Sequence, residues 1–134
     1  MKRIVAGLDG SDASQRAAAL ALELSRQLEA RLFLVTVVPP VPVPQGGGRQ
    51  EGERAEAESI LSRSLALLEA KGSVVERVVL TGEPAEALCE LARAEDVVLV
   101  AVGRSGRGAV SRLLLGSVSD RLVRRCPRPV LVVH

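Results

Sequence analysis

"DVVLVAVGRSGRGAVSRLLLGSVS", residues 96–119, is the stretch on which the fold turns. After one Asp it is apolar from Val97 to Val102 and mostly β-branched. A strand with one wet face alternates polar and apolar residues. An unbroken apolar run belongs to a strand covered on both faces, as in a parallel sheet sandwiched by helices. The next part holds Gly103, Gly106, Gly108 and Gly116, four of the chain's twelve glycines. A helical pattern follows from about Ser117. The stretch therefore reads as strand, glycine-rich connection, helix.

Similar apolar runs recur on either side: "RIVAGL" (3–8), "RLFLVTVV" (31–38), "SVVERVVL" (73–80) and "RPVLVV" (128–133). All are short and rich in branched residues, as strands should be. Helical patterns separate them. The first is expected over about 12–29, capped by Ser11 or Asp12, with Ala17, Leu20, Leu24 and Leu28 at helical spacing. The second runs through 51–72, with Leu61, Leu65 and Leu68 on one face and Gly72 as its stop. The third begins near Pro84, and the fourth runs from near Ser117 to Arg124 and Arg125. Strands alternating with helices imply an α/β, doubly wound open sheet of five parallel strands with helices on both faces. Glu76 and Arg77 mark the third run as an edge strand. The last run starts after a proline and is wholly apolar, which suggests an edge covered by a second copy of the chain. Residues 39–50, "PPVPVPQGGGRQ", read as a mobile loop inside one domain spanning 1–134.

Composition narrows the partners. The 134 residues are 47% hydrophobic and 25% charged with a net charge of +2, so no polyanionic partner is indicated. Phe33 is the only aromatic residue, which argues against the stacking platforms of single-stranded nucleic-acid binders. Cys89 and Cys126 form no CxxC pair and read as reduced thiols of a cytoplasmic protein. No apolar segment has the length of a membrane span, and the opening residues do not resemble a signal peptide.

The glycine stretch leaves the carboxyl end of a strand and ends at a helix N-terminus. Ligands of open parallel sheets bind beyond that end, where neighbouring crossovers run to opposite faces. A helix N-terminus presents unpaired N–H groups, and glycine lets backbone approach an anion closely. Ser117 offers a hydroxyl as donor or cap, and Arg104, Arg107 and Arg112 add positive charge. These features describe a phosphate cradle; a plain strand-to-helix loop with a serine cap reads the same glycines. No Lys completes a P-loop, and GxGxxG does not follow the first strand.

The spacing is G-x2-G-x9-G-S, formed by Gly103, Gly106, Gly116 and Ser117. In this it resembles the nucleotide-binding type of the universal stress protein family. The likeness extends over the opening residues 3–38 and the ending "GSVSDRLVRRCPRPVLVV". It implies a sheet ordered 3-2-1-4-5, with its switch point between strands one and four. It further implies ATP as ligand, with Mg2+ or Mn2+ held mainly through the phosphates and no protein metal ligands. By the same resemblance Asp9 accepts from ribose or adenine, Gly7 passes close to the base, and Val37 reads the adenine edge with its backbone. Val102 and Gly103 lie beside ribose and phosphates, and Gly106, Gly116, Ser117 and Val118 supply phosphate-binding backbone. Many relatives carry His where Ser105 stands. The family also implies a homodimer through residues 128–133, with no nucleic-acid or membrane partner.

Three other readings compete. A slow ATPase needs a positioned base, and the sole histidine is His134. "GRSGRG" is not GxSxG, so no serine hydrolase is indicated. A phosphorelay receiver would need an acceptor Asp where Thr81-Gly82 stands. A nucleotide-free interaction module would have no need to keep the glycine spacing.

Overall fold

A computed structural model describes residues 1–40, 48–104 and 116–134, with backbone alone at 48–50. The elements alternate throughout: β1 (Arg3–Gly7), α1 (Asp12–Gln27), β2 (Arg31–Val38), α2 (Gly48–Leu67), β3 (Val75–Thr81), α3 (Pro84–Leu91), β4 (Val97–Gly103), α4 (Ser117–Arg125) and β5 (Val130–Val133). All pairings are parallel and the order is β3-β2-β1-β4-β5, as the resemblance implied. Both expected edges, β3 and β5, are edges.

Two apolar layers flank the sheet. On one face α1 and α2 bury Ala17, Ala18, Leu22, Ile60 and Leu61 against Ile4, Leu32 and Leu34. On the other, α3 and α4 bury Leu88 and Leu122 against Val5, Val35 and Val100. The residues of β1 and β2 divide by parity, as the two-residue repeat of a pleated strand requires.

The helices depart from expectation in three places. The sheet-facing stripe of α1 is Ala13, Ser14, Ala17, Ala18, Ala21, Leu22 and Ser25, whereas Leu20 and Leu28 are each 40% exposed. Small residues bring this helix close to the strands, so the leucine row turns outward. Next, α2 begins at Gly48 and ends at Leu67, so residues 48–50 of the expected loop are helical and the chain leaves the helix before Gly72. Gly72 sits at φ +82 in the turn that follows, a conformation glycine adopts without Cβ strain. Finally, α4 is capped by Gly116, with no side-chain cap bond from Ser117. Residues 41–47, most of the expected mobile loop, lie outside the described residues.

At the amino edge of the sheet Arg3 donates two hydrogen bonds to the Asp96 carboxylate, at 2.8 and 2.6 Å, tying the start of β1 to the entry of β4. Its guanidinium also stacks on Phe33, 4.9 Å from the ring centre, with Arg31 at 5.6 Å. The hydrogen-bonded Arg3 holds the Asp96 carboxyl below its ordinary value of 3.8.

Candidate functional site

The crossovers leave β1 and β4 on opposite faces, which opens a crevice at their carboxyl ends. Gly7 lies level with Val35 on one side and Val102 on the other. A Cβ at Gly7 would meet Leu88 Cδ1 at 3.0 Å and Val102 Cγ1 at 3.1 Å, so bare backbone is needed there. Val37 lies two residues beyond Val35, at the upper edge of β2, with its side chain on the α3/α4 layer. Its core role and a backbone role at the crevice are compatible.

After β1 the chain turns at once into α1. Asp9 Oδ1 accepts from the Ser11 amide at 2.9 Å, Gly10 takes φ +86, and Ser11 Oγ caps the helix by accepting from the Ser14 amide at 3.1 Å. Asp9 thus fills the role of a turn residue with one oxygen. Its Oδ2 has no partner among the described residues and stays half-buried beside the crevice. On the other side of the turn a groove of about 210 Å³ runs between α1 and α2, lined by Leu8, Gly10, Ser11, Gln15, Ile60 and Ser64.

Gly103 carries a constraint that its motif position does not reveal. A Cβ there would lie 2.7 Å from the Ser14 amide nitrogen and 2.8 Å from the Ala13 carbonyl carbon. Those are backbone atoms and cannot swing aside. The glycine is what allows β4 to pass under the first turn of α1.

The two ends of the glycine stretch meet at one carbonyl. Arg104 O accepts from the Gly116 amide at 2.6 Å and from Ser119 Oγ at 2.8 Å, and Ser119 Oγ lies 3.0 Å from Gly116 O. The Arg104 amide in turn donates to Val133 O at 2.7 Å, joining β5 to the same knot. The chain therefore leaves and re-enters at a closed base. The Gly116 amide, expected to face an anion, is committed to that closure. The next amides, of Ser117 and Val118, have no acceptor among the described residues and lie in the first turn of α4, at the positive end of its dipole. Gly106, Ser105, Gly108, Arg107 and Arg112 lie outside the described residues.

Sequence reading missed Ser119. It is 1% exposed and holds both ends of the connection. The available signal was a second serine, in the third position of a helix that starts on glycine. Ser14 was also missed: its hydroxyl is buried and donates to Ser11 O at 2.9 Å, stiffening the turn that carries Asp9.

The sequence model of the universal stress protein family matches residues 1–134. The chain belongs to the universal stress protein family. Among its relatives, a universal stress protein of Thermus aquaticus is 38% identical over 137 residues, covering 99% of this chain and 98% of the relative. One from Methanocaldococcus jannaschii is 32% identical over 138 residues, covering 98% of this chain and 81% of the relative. A universal stress protein solved in complex with cAMP superimposes with a TM-score of 0.80 at 30% identity, over 99% of this chain and 97% of that one. The family fold is thus the one assembled above from strands, crossovers and switch point.

Proposed function

We propose that this universal stress protein binds an adenine nucleotide, ATP with Mg2+ or Mn2+ on its phosphates, as a regulatory or structural ligand in a cytoplasmic stress response. The observation that carries the reading is the pair of amides at Ser117 and Val118, which have no acceptor among the described residues and follow the Arg104 closure. They suit a phosphate, because N–H groups and the helix dipole both favour negative charge. Asp9 Oδ2 suits ribose or adenine donors, and Gly7, Val37, Val102 and Gly103 frame the crevice. Gly106 belongs to the same proposal on its motif position. The similar universal stress protein solved with cAMP supports an adenine ligand. Two free thiols suit a reducing compartment, and no helix among the described residues is long and apolar enough to cross a membrane.

The test is thermal. ATP with Mg2+ at a hundredfold excess over its Kd should stabilise the fold by about 2.7 kcal/mol, and AMP and cAMP run alongside rank the phosphate contribution. Ser117→Asp puts a carboxylate on the first turn of α4, where it favours the helix but repels phosphate. It should leave the unliganded melting temperature unchanged or higher and weaken ATP at least about tenfold, a loss of about 1.4 kcal/mol. A wild-type melting temperature unmoved by every adenine nucleotide would refute the proposal.

A further inference from the structure

Cys89 and Cys126 are not among the residues assigned to the nucleotide crevice. Cys89 is in α3 and Cys126 is the C-cap of α4; both are free, half-buried and packed on the same apolar layer. Two ties set how these helices lie. Arg121, midway along α4, pairs with Glu83, the N-cap of α3, at 3.2 Å. Beyond their ends, Arg128 donates to the Ala92 and Ala94 carbonyls at 3.0 and 3.1 Å. The two helices are therefore parallel, with the start of α3 beside the middle of α4. Cys89 stands six residues past Glu83 and Cys126 five past Arg121. At the α-helical rise these are advances of about 9 Å and about 7.5 Å. The two cysteines therefore come level between the ties, on the same apolar layer.

We propose that Cys89 and Cys126 are an oxidisable thiol pair that closes into an intramolecular disulfide under hydroperoxide and locks the end of α4 to α3. Burial, first, and then Cys126 and Glu83 push the Cys89 thiol up, against the opposing pull of Arg125. Cys126 lies between exposed Arg125 and Pro127 at the end of α4, whereas Cys89 follows buried Leu88, so Cys126 is the attacking thiol and Cys89 the resolving partner. The Cys126 thiolate attacks a peroxide oxygen, the O–O bond breaks, and the departing hydroxide takes a proton to leave as water. The Cys89 sulfur then gives up its proton and attacks the Cys126 sulfenic acid. The S–S bond forms, the S–O bond breaks, and a second water leaves. The two thiols lose two electrons and two protons, and the peroxide is reduced to two waters. Thiol reductant reverses the change.

Intact mass under denaturing, non-reducing conditions reads the product after the full chain is treated with hydrogen peroxide. The expected result is a monomer lighter by two hydrogens, with neither cysteine alkylatable until dithiothreitol is added. Its melting temperature should rise by about 5–10 °C, because the bridge closes a long loop of the unfolded chain. Cys89→Ser should gain oxygen in place of losing hydrogen, Cys126→Ser should keep its remaining thiol, and neither should show such a rise. Persistence of both thiols in the wild type, sulfinic acids at both positions, linkage only between chains, or an unmoved melting temperature in the bridged monomer would each overturn the proposal. Because no nucleotide enters the measurement, its failure is separate from failure of the ligand reading.

Discussion

Glycine at 103 and glycine at 52 look alike in sequence and are opposite in the structure. At Gly103 a Cβ would press on the backbone of the first turn of α1, at 2.7 Å from the Ser14 nitrogen. At Gly52, inside α2, it would meet nothing within 4 Å. Gly103→Ala should therefore destabilise by about 3 kcal/mol through overpacking. Gly52→Ala should stabilise by about 0.5–1 kcal/mol, because alanine loses less freedom in a helix. Urea unfolding of both variants measures the contrast, and similar effects of the two would show that β4 does not need its close approach to α1. Motif spacing marked Gly103 as a ligand residue, and packing gives it a second and independent reason to be glycine. Ser119 was invisible to that kind of reading, because its function is to bond a carbonyl fifteen residues back in the chain. Such long-range closures leave no local pattern.

Elements were legible to the extent that their signal was local. The five strands announced themselves through branched apolar runs, and Ser11, Pro84 and the Arg124-Arg125 pair marked helix ends within a residue or two. The face of α1 was not legible, because leucines dominate the sequence pattern while alanines dominate the contact. Hydrophobic periodicity measures how greasy a side chain is, and close helix–sheet packing selects how small it is. The Arg3–Asp96 tie was likewise out of reach, since its partners are 93 residues apart. It joins β1 to the entry of β4 and gives the fold an acid limb. The Asp96 carboxyl is lowered in the folded chain, so its contribution is whole above the ordinary value of 3.8 and is lost as pH falls through the lowered value. Comparing wild type with Asp96→Asn should show a stability gap at pH 7 that closes as the pH drops below 3.8. A gap of constant size down to the acid transition would mean that the carboxylate charge does not contribute.

At the scale of the whole molecule, assembly turns on the outer edge of β5, which pairs with no further strand among the described residues. Pro129 O accepts from Val100 of β4 and Val133 O from Arg104 just past it, so the odd positions of this strand face inward along the sheet. A residue of an extended strand points its N–H and C=O to the same side. Val130 and Val132 therefore direct theirs outward from the edge, while all four residues of β5 remain half-buried. An unblunted, apolar edge of this kind is a template for pairing, and natural edges of monomers carry charge or proline against it. We infer that two copies of this chain join through β5. Val132→Pro removes one outward N–H and no bond to β4, and proline is tolerated at an edge. Sedimentation velocity should therefore find a dimer for the wild type and a monomer for Val132→Pro, with matching far-ultraviolet circular dichroism. A wild type that sediments as a monomer at every concentration would sink the inference. A variant that stays dimeric would move the interface away from this strand, and with it the requirement that β5 be both apolar and unblocked.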